Sequence, residues 1–257
     1  MLLMNQNPFS LQGKNALVTG SNRGLGAGIA VALAQAGANV AVNGRSHKGV
    51  EDVCAAVRAA GAKAVVAVGD VSGAKVCEDL VETTVRELGS IDILVNNAGI
   101  IRRAPAAEFS AKDWTDVIEI NLNAVFRLCQ LAGRHMLEQG GGKIVNIASL
   151  LSFQGGILVP AYAAAKGAVA QLTKALANEW APKNVNVNAI APGYMATDNT
   201  EALRADPVRS AAILSRIPAG RWGAPQDVGG AAVFLASPAS DYVNGHVLVV
   251  DGGWMAR

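Results

Sequence analysis

The sequence predicts an α/β fold, with one domain built on a parallel, doubly wound sheet. Three observations point there. Short β-branched runs alternate with longer helical patterns almost throughout. The strand candidates are continuous apolar runs, as strands covered by helices on both faces should be. No Pro/Ser-rich linker, charge run or repeat interrupts the 257 residues, a length that suits one large α/β domain.

In order, "NALVT" is the first strand, followed by a glycine-rich turn and the alanine-rich helix "GAGIAVALAQAGA". "NVAVN" is the second strand, with a helix near 48–60 after it. "KAVVAVGDV" and a helix near 73–88 come next, then "IDILVNNAG" and a long helical region from about 110 to 139. "GKIVNIAS" precedes the helix carrying "YAAAK", and "VNVNAIAPG" follows it. A helix near 225–236 and the strand "HVLVVDGG" close the chain. The stretch at about 194–222 follows a strand and has no strand of its own, which makes it a candidate substrate lid.

Composition narrows the function. The chain is 51% hydrophobic and 16% charged, and its net charge of +2 is scattered, so no basic patch argues for nucleic acid. No run approaches the ~18 apolar residues of a membrane span. "MLLMNQNPFSLQG" lacks a basic n-region and a long enough apolar stretch for a signal peptide, and a cytoplasmic location is expected. Cys54, Cys77 and Cys129 are scattered, as are His47, His135 and His246, so reduced buried thiols and no metal site are expected.

The glycines Gly20, Gly24 and Gly26 of "TGSNRGLG" lie at the first strand-to-helix crossover. Backbone N–H groups there can approach a pyrophosphate seated at the helix N-terminus. The spacing is GxxxGxG rather than GxGxxG. At the end of the second strand, "AVNGRS" offers no acid for a ribose diol but does offer Arg45, and Arg23 lies inside the turn. A nearby arginine suits a 2′-phosphate, which favours NADP(H) over NAD(H); the alternative is that both arginines are solvated surface charges.

Tyr162 and Lys166 stand one helical turn apart with only alanines between them, and so share a face. A phenol ionises near pH ~10, and a neighbouring ammonium is expected to pull that value down, fitting Tyr162 for general acid–base work. Ser149 ends "KIVNIAS", at the carboxyl edge of the sheet where ligands bind, and is expected to hold a carbonyl oxygen. Any one of these features occurs by chance; together they point to hydride transfer.

"TGSNRGLG", "GDV", "NNAG", "INLNAVF", Ser149, "YAAAK" and "PGYMAT" resemble the short-chain dehydrogenase/reductase family from about residue 10 to the last residue. That resemblance implies a Rossmann-type fold with a seven-stranded parallel sheet and an NAD(P)(H) cofactor. It implies catalytic roles for Asn121, Ser149, Tyr162 and Lys166, with Asn121 holding a water that passes protons to Lys166. Cofactor contacts would come from Gly20, Asn22, Arg23, Gly24, Leu25, Gly26, Arg45, Asp70, Val71, Asn97, Ala98, Gly99, Tyr162, Lys166, Pro192, Gly193 and Thr197. A homotetramer is the usual family assembly.

Within the family, "NAGIIRR", "SLLSFQGG", "RIPAGRWG" and "DGGWMAR" look closer to enzymes of sugar acids, of 2-deoxy-D-gluconate or 2-dehydro-3-deoxy-D-gluconate type, than to acyl-carrier reductases. Gluconate oxidation, acyl-carrier reduction and non-catalytic nucleotide binding are the alternatives. The sugar-acid relatives are mostly described as NAD enzymes, whereas Arg45 argues for NADP. Arg103, in preference to its neighbour Arg102, is expected to grip a substrate carboxylate through two parallel hydrogen bonds, with Tyr194, Asn199 and Gln154 facing the polyol. A surface role paired with an acid such as Glu108 is the alternative for both arginines.

Overall fold

A computed structural model describes residues 7–257; residues 1–6, part of the segment searched for a leader, lie outside it. Seven strands form one all-parallel sheet in the order β3-β2-β1-β4-β5-β6-β7. They are β1 Asn15–Val18, β2 Asn39–Gly44, β3 Ala64–Val68, β4 Ile93–Asn96, β5 Gly142–Ile147, β6 Val185–Pro192 and β7 Val247–Val250. β1, β4 and β6 are buried at every residue, their asparagines Asn15, Asn96, Asn186 and Asn188 included.

Alternate strand residues feed two cores. Ala16 and Val18 of β1 face α1 (Gly24–Gln35), α2 (His47–Ala59) and α9 (Pro225–Ala236), through Ile29, Val53 and Val228. Leu17 faces the other way, toward α3 (Ala74–Leu88), α5 (Ala124–Glu138) and α6 (Pro160–Trp180), through Leu80, Leu128 and Val169. The strand order reverses between β1 and β4. Loops from the carboxyl ends of the strands part there, so a cleft opens above that point.

A buried polar ladder fixes α6 over the sheet. Asn96 Nδ2 donates to Asn146 Oδ1 at 2.9 Å, and Asn146 Nδ2 donates to Thr173 Oγ1 at 3.0 Å. All three side chains are buried, so these bonds hold β4, β5 and α6 in one register.

Two expectations gain detail. The helical region near 110–139 is present and unbroken, but α4 (Ala111–Ile118) passes through one π-helical turn, Glu119–Asn123, into α5. Asn121, in that turn, takes both backbone groups of Ile100: its Oδ1 accepts from the N–H and its Nδ2 donates to the carbonyl, each at 2.8 Å. The stretch at 194–222 is less irregular than expected. It carries a 3₁₀ turn at Asp198–Thr200, then α7 (Glu201–Ala205) and α8 (Pro207–Leu214). Asp206 caps α8 by accepting from the N–H groups of Val208 and Arg209, and Pro207 supplies the first helical φ.

Candidate active site

The cleft at the reversal point has a volume of about 750 Å³, and loops after β1, β2, β3 and β4 form its walls. Gly20 has a φ of 58°, and a Cβ there would lie 2.8 Å from Ala98 Cα. At Gly26 a Cβ would come within 2.4 Å of both Asn97 Nδ2 and Gly20 O. The turn can close against the β4 loop only with glycine at both positions.

Asn43, buried at the end of β2, holds three of these loops together. Its Oδ1 accepts from Gly20 N at 3.0 Å, and its Nδ2 donates to the carbonyls of Ala67 at 2.9 Å and Gly69 at 3.1 Å. Both N–H groups and the oxygen of that amide side chain are used for shaping the cleft, a role that sequence reasoning missed. Its only sequence signal is an amide, a poor strand former, inside an apolar run.

The expected cofactor residues Asn22, Arg23, Gly24, Leu25, Arg45, Asp70, Val71, Asn97, Ala98, Gly99 and Thr197 all line the cleft, and Ser46, not foreseen, joins them. Pro192 and Gly193 are not among its lining residues. Arg45 is exposed at the rim, whereas Arg23 forms an ion pair at 2.9 Å with Asp198 of the lid stretch. The cradle of backbone at Gly20 and Gly26, the helix N-terminus behind it and a cationic rim fit a dinucleotide phosphate.

Tyr162 and Lys166 line the opposite side of the same cleft. The Lys166 ammonium is buried, donates to the Ile147 carbonyl, and sits 5.6 Å from the centroid of the Tyr162 ring. Burial alone lowers its pKa to about 8. The phenol differs from expectation: burial pushes Tyr162 above the ordinary tyrosine range, while a hydrogen bond with Ser149 and the charge of Arg103 act against it. The charge acting against that rise is that of Arg103, while the Lys166 ammonium is bonded to the Ile147 carbonyl.

Ser149 lies two residues beyond β5 and opens the 3₁₀ turn Leu150–Ser152. Its Oγ accepts from Leu151 N at 3.1 Å, which leaves the hydroxyl proton free to donate. Asn121 is fully buried, and with its side chain spent on Ile100 only its main chain could hold the expected water. Tyr162 and Lys166 line the cleft and Ser149 stands against the phenol; a hydroxyl donor, a phenol and an ammonium so grouped can hold an oxygen atom and move a proton to or from it.

A family model described as enoyl-(acyl carrier protein) reductase matches residues 20–255. The 2-dehydro-3-deoxy-D-gluconate 5-dehydrogenase of Dickeya dadantii is 57% identical over 252 residues, covering 98% of this chain and 99% of the relative. The chain belongs to the short-chain dehydrogenase/reductase family. It is therefore an oxidoreductase of CH–OH groups that uses a nicotinamide cofactor. Two solved structures share the short-chain dehydrogenase fold over nearly the whole chain. One, from Agrobacterium tumefaciens and provisionally named a 2-deoxy-D-gluconate 3-dehydrogenase with bound NADP, is 55% identical with a TM-score of 0.92, covering 98% of this chain and 100% of that one. The other, a gluconate 5-dehydrogenase of Burkholderia cenocepacia in complex with NADP and tartrate, is 43% identical with a TM-score of 0.93, covering 98% of both chains.

The five residues expected to meet substrate are not gathered equally in this short-chain dehydrogenase. Arg102 lines the cleft, but its Nε pairs with Asp113 Oδ1 at 3.3 Å, not with Glu108. Arg103 reaches across to the 194–222 stretch, donating from Nη2 to the Asn199 carbonyl at 3.4 Å, and its charge is felt at Tyr162. Asn199 lines the cleft; Gln154 does not. Tyr194 is spent on an aromatic wall, its ring centroid 4.7 Å from that of Trp254 and 5.7 Å from that of Trp222. Tyr194 is not among the residues lining the cleft, and its ring packs on both tryptophans.

Among the described residues, no cluster of three or more His, Cys, Asp or Glu could hold a metal ion, and no helix is long and apolar enough to cross a membrane. The three cysteines are free and buried, and burial pushes the Cys129 thiol up to about 12.

Proposed function

We propose that this enzyme interconverts a hydroxyl and a ketone in a small sugar acid of 2-dehydro-3-deoxy-D-gluconate type. The observation that carries the proposal is the meeting of Tyr162 and Lys166 with the glycine turn in one cleft, with the Arg103 charge close enough to act on the phenol. Ser149 and Tyr162 hold the reacting oxygen from two sides. Burial keeps the phenol protonated at neutral pH, ready to donate to a ketone, and the reverse direction returns that proton to Tyr162. Lys166, at about 8, can exchange a proton near neutrality and favours the phenolate by its charge when protonated. When bound, the nicotinamide cofactor supplies or accepts the hydride. Arg103 grips the substrate carboxylate, which sets the carbon that faces Ser149 and Tyr162.

Arg45 favours NADP(H), as the two NADP-bound relatives suggest. The stretch at 194–222 acts as the lid, anchored by Asp198 on Arg23 and by Asn199 on Arg103. Exposed Trp114 on α4 and Phe126 on α5 support assembly into a tetramer, and the reduced thiols support a cytoplasmic location. Assaying hexonates, keto-deoxy-hexonates and an acyl-carrier thioester with both cofactors tests the proposal. The highest kcat/KM should fall on 2-dehydro-3-deoxy-D-gluconate; turnover of the thioester alone would contradict the assignment.

A further inference from the structure

Ser152 has no role in the chemistry described so far, yet it joins the two halves of the catalytic geometry. Its Oγ accepts from the backbone N–H of Ser149 at 3.3 Å and donates to the backbone carbonyl of Lys166 at 2.7 Å. One hydroxyl therefore spans the loop after β5 and the second turn of α6. Lys166 returns the connection from its other end, because its ammonium donates to the carbonyl of Ile147. Ser149 is thus bracketed: residue 147 receives the lysine ammonium and residue 152 gives to the lysine carbonyl. Ser152 thus adds a backbone-to-backbone tie between the turn and α6 to the contact of Ser149 with Tyr162.

We propose that Ser152 is a positioning residue for hydride transfer: its hydroxyl sets the distance between Ser149 and the face of α6 that carries Tyr162 and Lys166. The proposal rests on Ser149 and Tyr162 holding the reacting oxygen. Two features make the position sensitive. Ser149 Oγ is oriented by Leu151 N, so its free proton points wherever the turn points. The Lys166 carbonyl also belongs to a helix, so a shift there carries Tyr162, one turn earlier, with it. Neither Ser152 contact touches the loops after β1, β2 or β3, which form most of the cofactor cleft, so cofactor binding should change far less than turnover.

The test measures kcat, KM, cofactor Kd and the pH dependence of kcat for Ser152→Ala and Ser152→Thr, with Ser149→Ala as reference. Loss of registration should lower kcat of Ser152→Ala by roughly tenfold, since small misplacements of positioned groups are costly. Cofactor Kd should stay near that of the wild type. Ser152→Thr, which keeps the hydroxyl, should recover most of the loss. The alkaline limb of the kcat profile should move upward in Ser152→Ala, because a displaced Ser149 no longer holds the phenol down. Should Ser152→Ala not fold, Ser152→Cys, with a weaker hydrogen-bonding group, should show the same kcat loss and upward limb at unchanged Kd. Wild-type kcat in the alanine or cysteine variant overturns the proposal. So does a loss shared equally by kcat and Kd, with an unmoved pH profile and no recovery in Ser152→Thr. Ser149→Ala with full turnover overturns the catalytic role of Ser149, and the role of Ser152 with it. Ser149→Ala inactive beside a fully active Ser152→Ala overturns the role of Ser152 alone.

Discussion

Replacing Arg45 by Asp should move cofactor preference from NADP(H) toward NAD(H). The β2 end offers no carboxylate to a ribose diol, and Arg45 stands exposed at the rim with no ion pair among the described residues, while Arg23 shares its charge with Asp198 at 2.9 Å. The Arg23 pair is solvent-exposed, so holding it in place is worth roughly 1 kcal/mol or less. A charge-assisted contact between a free arginine and a phosphate is worth roughly 1.5–3 kcal/mol, or about one to two decades in affinity. Arg45 should therefore carry most of the grip. Arg45→Asp should weaken NADPH by about one to two decades, with added repulsion from the new carboxylate, and leave NADH unharmed. Arg23→Gln should cost less, and Asp198→Asn should tighten NADPH slightly by freeing Arg23. Fluorescence titration of NADPH and NADH at two salt concentrations reads all of this, and the contrast should shrink at high salt. Equal binding of both cofactors by the wild type, unchanged in Arg45→Asp, would refute the reasoning and leave the arginines as surface charges.

Two further predictions concern charged groups in the cleft. The Lys166 pKa is lowered in the fold to about 8, so the unfolded chain binds more protons between that value and the ordinary lysine value of 10.5. The Lys166 contribution to stability should consequently rise with pH across that window, by at most about 3 kcal/mol, while the buried Cys129 thiol pulls the other way above its ordinary value; the lysine contribution is therefore read as wild type minus Lys166→Met, a variant that should also raise Tm at neutral pH and lose turnover. A wild-type minus Lys166→Met difference that stays flat with pH in denaturant titrations would show that the ammonium is not desolvated. Arg103→Ala and Arg103→Lys should both lose kcat/KM on a sugar acid far more than on its uncharged lactone, since lysine cannot reproduce a two-bond grip on a carboxylate. Equal losses on acid and lactone would remove Arg103 from the substrate site.

Features set by local pattern were legible in the sequence, and features set by contacts across the fold were not. Continuous apolar strands, a glycine turn after the first of them and a Tyr–Lys pair one helical turn apart each have a local physical cause, and each is found where the sequence placed it. The π turn at Glu119–Asn123 was invisible because nothing in "VIEINLNAV" breaks a helix; its Asn121 meets Ile100 only once the chain has folded back. For the same reason the sequence could not show that Lys166 turns to Ile147 while Arg103 acts on Tyr162. The exposed arginines were ambiguous in sequence, and only the folded chain distinguishes Arg102, paired with Asp113, from Arg103, which reaches the lid. Asp206 and Pro207 did carry a local signal for α8, an Asx cap followed by proline, which the expectation of an irregular lid passed over.

The proton transfer assigned to Tyr162 is the centre of this account, and Tyr162→Phe tests it most directly. The variant removes one hydroxyl and keeps the ring that packs beside Lys166. Turnover of 2-dehydro-3-deoxy-D-gluconate, measured with cofactor Kd on the same preparation, should fall to near background while Kd stays within about a factor of two of the wild type. A Tyr162→Phe enzyme that keeps most of its kcat would contradict the account.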